Sequence, residues 1–134
     1  MTTTLNKAIF RQFYEDAWNL GELGVIDELV SPSFINHELT MPVPHRDLYK
    51  QAVIETRSAF PDWTITIEDL IGEGDKVVAR WTAQGTHTGA GFGLAPTGRK
   101  IKMAGLTLVR IVDGQITEFW KKDDAYTVAQ QLMA

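Results

Sequence analysis

The residues best suited to proton transfer are a histidine, a tyrosine and a lysine–aspartate pair near the end of the chain. His37 stands in an extended segment, and histidine is the usual acid or base at neutral pH. Lys121 and Asp123 are two residues apart in a predicted strand, so their side chains share one face. Tyr14, in the first predicted helix, could donate a hydrogen bond to a substrate oxygen. Together these four residues predict an acid/base site.

Each of these residues also has a purely structural explanation. His37 fits a surface position, Tyr14 fits a core position, and the lysine–aspartate pair fits a strand end in solvent. If their face lines a cavity instead, Lys121 could act as a base, an enolate stabiliser or an imine-forming amine. Asp123 could then supply a carboxylate or pair with Lys121. The residues alone leave these alternatives open.

A second group of residues is suited to lining a cavity, because an aromatic wall favours flat or polycyclic ligands. In the middle of its strand, the hydroxyl of Thr107 is expected to face a wet pocket rather than a dry core. His87 is as well suited to orienting the long loop that follows it as to touching a ligand. The predicted substrate-binding residues are Trp18, Trp63, His87, Met103, Thr107 and Phe119. For each apolar member the alternative is an ordinary core position.

The composition argues against several other classes of protein. No cysteine is present, which excludes disulfides and thiol nucleophiles, and the three histidines lack the spacing of a metal site. The net charge is −4 over 134 residues and the basic residues are scattered, so no nucleic-acid partner is expected. No segment resembles a signal peptide or is long enough to span a membrane. We therefore expect a cytoplasmic protein without a metal or a membrane partner.

The hydrophobic periodicity predicts helices first and strands afterwards. Apolar residues at helical spacing predict helices over residues 5–20, 22–30 and 46–60, with a short terminal helix ending near residue 132. Alternating residues predict four antiparallel strands over residues 64–71, 76–89, 100–112 and 115–123. In the first helix Phe10, Tyr14 and Trp18 lie four apart, which predicts a single row of rings.

This order predicts one α+β domain over residues 1–134, with helices packed on a strongly bent antiparallel sheet. A bent sheet covered by helices on its concave side encloses a conical space where a small molecule could bind. The strands carry apolar residues on both faces. Both faces are therefore expected to be buried, the second one against more protein or around the cavity.

Three short motifs carry a resemblance to a known family: GTHTG at residues 85–89, PTGR at 96–99 and DGQITEFW at 113–120. Together with the helical segments before them, they resemble the SnoaL-like polyketide cyclases of the nuclear transport factor 2-like superfamily. The resemblance runs from about residue 7 to residue 133. It implies a cone-shaped α+β barrel with an internal pocket, assembly as a homodimer, and a pocket rim that includes His37.

The same resemblance implies an intramolecular aldol condensation of a polyketide ester, without a metal or other cofactor. In the family, an acid/base aspartate directly follows the tryptophan of the last strand. Here Lys121 follows Trp120, so the usual catalyst is absent. The leading hypothesis is a cyclase-like enzyme that acts on a small hydrophobic or aromatic carbonyl compound.

Two alternatives stand beside this hypothesis. The first is a non-catalytic module of the same fold that binds a small molecule or forms dimers, which the missing aspartate favours. The second is an epoxide hydrolase of the limonene type, which needs two carboxylates bridged by an arginine. Arg80 and Arg110 are available for that role, but their neighbouring strands offer no buried aspartate pair.

Overall fold

A computed structural model describes residues 2–133 as four α-helices and one five-stranded sheet. The helices are α1 Thr2–Tyr14, α2 Gly24–Leu29, α3 His45–Ala59 and α4 Ala125–Met133, and a π-helical turn over Glu15–Asn19 extends α1. The strands are β1 Val30–Asn36, β2 Thr64–Glu73, β3 Lys76–Thr86, β4 Lys100–Val112 and β5 Gln115–Asp123. The predicted α+β class is confirmed. No helix within the described residues is both long and apolar enough to cross a bilayer.

The sheet has the strand order β1-β5-β4-β3-β2 and is curved but not closed. Strands β2 to β5 form the predicted antiparallel meander, and β3 ends at Thr86, three residues earlier than predicted. Strand β1 was not predicted as part of the sheet; it pairs in parallel with β5, with Asn36 opposite Phe119. Its place at the sheet edge accommodates Pro32, which has no N–H to donate. The Ser-Pro pair therefore lies inside a strand and does not merely end the second helix.

The first helix departs from the predicted row of three rings. The rings of Phe10 and Tyr14 are in contact, with a centroid distance of 4.6 Å. Trp18 lies within the π-helical turn, which has more residues per turn than an α-helix. Its ring packs instead on Tyr49 of α3 and on Trp63, at centroid distances of 5.8 and 6.4 Å. The widened turn thus brings Trp18, just after α1, into contact with Tyr49 of α3.

The two faces of the sheet differ in burial. On the inner face of β3, Val77, Ala79, Trp81 and Ala83 alternate as buried residues, and α1 packs against β2 and β3. On the outer face, Leu106 remains half exposed in the single chain. The prediction that both faces are buried is therefore not met by one chain alone, because the helices cover only the concave side.

The GTHTG motif holds the end of β3 and the following loop against the end of α3. A Cβ atom on Gly85 would lie 2.9 Å from the Cβ of Phe60. A Cβ atom on Gly89 would lie only 1.9 Å from the backbone oxygen of Ser58, while its N–H donates to the oxygen of Ala59. These glycines are needed because backbone approaches side chain or backbone too closely for any other residue.

We expect Gly89→Ala to lower the free energy of unfolding by about 1–3 kcal/mol, because a backbone oxygen cannot move aside without displacing the helix end. Urea denaturation followed by circular dichroism measures the change. The control is Gly24→Ala, where no atom lies within 4 Å of the added carbon, and a change within about 0.5 kcal/mol is expected. Equal stability of the two variants would contradict this account.

Candidate active site

A cavity of about 620 Å³ lies between the helices and the inner face of the sheet. Its walls are largely aromatic, and polar side chains are grouped where β5 ends. All but three of the ten predicted site residues line it, namely Tyr14, Trp18, Trp63, Met103, Phe119, Lys121 and Asp123. The three that do not are His37, His87 and Thr107.

The charged pair of the cavity is formed by Lys121 and Asp123. Both side chains point inward from β5, and Lys121 Nζ lies 3.1 Å from Asp123 Oδ2. The Asp123 side chain is only 14% exposed, and its other oxygen accepts the N–H of Ala125 at 3.1 Å. The carboxylate is therefore fixed in position, and the charges of the pair sum to zero.

Glu38 fixes the backbone beside this pair. Its Oε1 accepts the backbone N–H of Lys121 at 3.0 Å, and its Oε2 lies 3.4 Å from Lys122 Nζ. The backbone hydrogen bond, followed by the attraction of Lys122, holds the pKa of Glu38 below its usual range. Glu38 also lines the cavity, so it ties the segment after β1 to the end of β5.

Two buried tyrosines supply hydroxyl groups to the opposite wall. Tyr14 Oη lies 2.6 Å from Thr107 Oγ1, and Thr107 Oγ1 accepts the Trp81 Nε1–H at 2.9 Å. Tyr49 Oη accepts the Trp18 Nε1–H at 2.8 Å. Burial raises the pKa of both tyrosines well above the usual range, so both phenols keep their protons at neutral pH.

Thr107 does not face the wet pocket expected for it. Its side chain is fully buried and completes the hydrogen bonds of the two rings beside it. The hydrogen bonds of Tyr14 and Trp81, which line the cavity, therefore depend on a residue that does not line it. The role of Thr107 in this geometry is to position Tyr14.

His37 lies on the outer face of the sheet and outside the cavity. Its ring stacks on that of Trp120 at 4.5 Å with an interplanar angle of 7°, and its Nε2 lies 3.1 Å from Glu118 Oε1. The hydrogen bond from His37, followed by that from Arg110, lowers the pKa of Glu118. The expected rim position is not observed, because β1 runs beside β5 in a register that brings His37 to the side of Trp120.

His87 holds the long loop rather than the cavity. Its ring is buried against that of Phe60, and its Nδ1 accepts the N–H of Thr97 at 3.3 Å. Its backbone oxygen accepts the N–H of Gly98 at 2.8 Å. The first two sequence motifs, GTHTG and PTGR, are therefore joined through this histidine. Within residues 2–133, no three His, Cys, Asp or Glu side chains are grouped to hold a metal ion.

The sequence interpretation missed Tyr49 as a cavity residue. It named no site residue on the third predicted helix, whereas Tyr49 is buried there and lines the cavity together with Leu48 and Ala52. The four-residue spacing from Tyr49 to Val53 was a usable signal, since it follows one side of a helix.

The sequence profile of the SnoaL-like polyketide cyclases matches residues 8–132. The chain belongs to this family. Among solved structures, IdmH from Streptomyces antibioticus, provisionally assigned as a polyketide cyclase, is 32% identical, with a TM-score of 0.81 over 96% of this chain and 99% of that chain. A Bacillus cereus protein with the same provisional assignment is also 32% identical, with a TM-score of 0.82 over 97% of this chain and 81% of the other.

AclR from Streptomyces galilaeus, provisionally assigned as a hydroxylase, is 26% identical, with a TM-score of 0.83 over 98% of this chain and 82% of that chain. No curated protein matches the sequence significantly. Relatives of this SnoaL-like chain thus carry different assigned activities, so the chemistry has to be argued from the site.

We expect Thr107→Val to lower the free energy of unfolding by about 1–3 kcal/mol, because it leaves the buried Trp81 N–H without an acceptor. Chemical denaturation measures this loss. Thr66→Val is the matched control: Thr66 is exposed on β2, and the same exchange there should be nearly neutral. If both variants lose the same stability, the buried hydrogen bonds are not the cause.

Proposed function

We propose that this SnoaL-like protein is a cofactor-free cyclase that closes a ring in a hydrophobic carbonyl compound by acid/base chemistry. The observation that carries the proposal is the fixed, nearly buried carboxylate of Asp123 on the wall of an aromatic cavity. The family match and the cavity volume of about 620 Å³, which is within the usual range for small-molecule sites, support it further.

In this proposal Asp123 takes the place of the aspartate that the family usually has after the tryptophan. Positions 121 and 123 share one face of β5, so a carboxylate at either position can enter the same cavity. Lys121 holds the carboxylate through the 3.1 Å ion pair and is a positioning residue.

The reaction would proceed in two proton transfers. Asp123 removes a proton from the carbon next to a carbonyl, and the electron pair moves onto that oxygen to give an enolate. The enolate carbon attacks a second carbonyl of the same molecule and forms the ring bond. The proton on Asp123 then passes to the new alkoxide, so the product is an isomer of the substrate.

The alternative of a non-catalytic binding module is supported by the position of His37 outside the cavity. The epoxide hydrolase alternative receives less support. Arg110 does bridge two carboxylates, Asp75 at 2.7 Å and Glu118 at 2.6 Å. All three side chains are between 31% and 44% exposed, and none of them lines the cavity.

A thermal-shift screen against polycyclic β-keto esters, terpene epoxides and steroid-like enones identifies a ligand class. A ligand at 100 times its dissociation constant stabilises a protein by about 2.7 kcal/mol, which gives a readable shift. Chromatography of the β-keto ester hits should show an isomeric, cyclised product. Recovery of every hit unchanged would favour the binding module, and conversion of the epoxides would favour the hydrolase.

We expect Asp123→Asn to reduce the turnover number by about 10²–10⁴-fold while the ligand-induced thermal shift persists, because the amide cannot take the proton. Asp69→Asn is the control, since Asp69 forms an exposed ion pair with Arg80 on the other side of the sheet. Turnover that survives in Asp123→Asn would exclude Asp123 as the base.

We also propose that two copies of the chain pair through the outer face of the sheet. Val78, Leu108 and Trp120 are neighbours across three strands there, and Leu106 beside them is 50% exposed. Burying such a patch against its equivalent would remove apolar surface from water.

Sedimentation should therefore give twice the chain mass of 15.0 kDa, and Leu106→Glu should give the single chain. Leu5→Glu, at a residue 59% exposed on α1, should leave the dimer intact. A monomeric unmodified protein would refute the pairing.

A further inference from the structure

Among the described residues that line the cavity, Phe92 carries the ring that the protein covers least. The residue is 55% exposed, although it forms part of the cavity wall. The other rings of the wall are at most 7% exposed, except for the half-buried Trp18. A large apolar ring that lies on a cavity wall without being packed by the protein is free to contact a ligand.

The backbone of Phe92 has a conformation that bulky residues rarely adopt. Its φ angle is 54°, in the left-handed region, where the Cβ atom crowds the following carbonyl oxygen. Glycine lacks that atom and is the usual residue there, as at the neighbouring Gly93, whose φ angle is 70°. Residues held in such strained conformations are concentrated at ligand-binding and catalytic positions. A phenylalanine at this position therefore points to a use for its ring.

Contacts with α3 fix the loop at Phe92. Glu55 Oε2 accepts the Phe92 N–H at 2.8 Å. A Cβ atom on Gly91 would lie 2.7 Å from the backbone oxygen of Glu55, so the loop packs directly on the helix. Just before it, Ser58 Oγ donates to the backbone oxygen of Ala90. The position of the ring is thus set by contacts within the chain, which lowers the ordering cost of binding a ligand against it.

Met41 lies at the other end of the cavity opening. It lines the cavity and is 49% exposed, so it too stands where the cavity meets the surface. Its backbone oxygen lies 3.0 Å from Nε2 of His45, the first residue of α3. Phe92 is held at Glu55, about 15 Å farther along the axis of α3. The opening is therefore long enough for a compound of several fused rings, and it is apolar at both ends.

We propose that Phe92 packs its ring on the flat face of an aromatic, polycyclic carbonyl compound and so determines the preference of the cavity for flat over linear ligands. The inference rests on the proposed function for the identity of this cavity as the reaction site. Contact between two aromatic systems is favourable beyond the apolar area that it buries. A linear chain with the same number of carbon atoms gains the burial of apolar area but not the ring contact.

Two ketones with the same number of carbon atoms test this preference without any turnover: 1-indanone is flat and bicyclic, and 2-nonanone is linear. Chemical-shift titration of ¹⁵N-labelled protein gives the dissociation constant of each. We expect the unmodified protein to bind 1-indanone more tightly. Phe92→Leu should reduce this preference by about three- to tenfold, because leucine keeps an apolar side chain but removes the ring. Phe92→Tyr, which retains the ring, should preserve the preference.

A pair of glycine variants separates ligand contact from a structural role. Within residues 2–133, Asp113 is the other non-glycine residue with a positive φ angle, 51°, and it lies in the β4–β5 hairpin outside the cavity lining. Phe92→Gly and Asp113→Gly relieve the same backbone crowding, so neither should lower the melting temperature by more than about 2 °C. Only Phe92→Gly should weaken the binding of 1-indanone, by about tenfold. A ring needed merely for folding would give the opposite pattern, a lower melting temperature with unchanged binding.

The proposal is overturned if Phe92→Leu keeps the full preference, if Phe92→Gly binds 1-indanone as tightly as the unmodified protein, or if the unmodified protein binds neither ketone at millimolar concentration.

The outcomes separate this inference from the proposed function. Loss of the preference in Phe92→Leu, with no ring closure of any β-keto ester, would support the role of Phe92 and refute the cyclase. Ring closure of polycyclic β-keto esters that continues undiminished in Phe92→Leu would support the cyclase and refute the role of Phe92 in it.

Discussion

The buried hydroxyl of Thr107 is the point at which the first helix is fastened to the middle of the sheet. Tyr14 and Thr107 are 93 residues apart in sequence and meet at 2.6 Å. Bringing together two residues so distant in sequence costs conformational entropy. The contact offsets this cost because it is buried, where loss of the hydrogen bond would leave a polar group unpaired. The hydrogen bond adds a fixed point to the apolar packing of α1 on β2 and β3, and both shape the space beside it.

The side-chain alternation of β5 decides which groups can take part in chemistry. Phe119, Lys121 and Asp123 point inward, whereas Glu118, Trp120 and Lys122 point outward. A shift of one residue would exchange the two sets, and the cavity would receive a different set of side chains. This alternation explains why His37, which stacks on Trp120, belongs to the outer surface although it is near the cavity residues in the chain.

The sequence predicted the elements whose pattern is regular and missed those set by tertiary contacts. Period-two segments identified four strands, and the shared face of Lys121 and Asp123 followed from their spacing. Strand β1 was missed because Pro32 resembles a helix stop, and only the pairing with β5 makes it a strand. The position of Trp18 could not be predicted either, since a π-helical turn has no distinct signature in the sequence.

The positions of the site residues depend more on strand pairing than on residue type, so the sequence predicted them less well. His37 was a reasonable acid or base by chemistry, but its side of the sheet depends on the parallel pairing of an unpredicted strand. Tyr49 was absent from the prediction because no site residue was expected on the third predicted helix. The hydroxyl of Thr107 could not be assigned from its neighbours, because its partners are one residue of α1 and one of β3.

Moving a carboxylate from position 121 to position 123 changes more than the identity of the base. Two residues of a strand span about 6.6 Å, so the carboxylate moves by that distance toward the end of β5. The phenols of Tyr14 and Tyr49 stay in place, since they are fixed by Thr107 and Trp18. Under the proposed function, a base at position 123 would therefore take its proton from a carbon that lies nearer the end of β5. Exchange of the carboxylate between these two positions would then change the substrate without changing the fold.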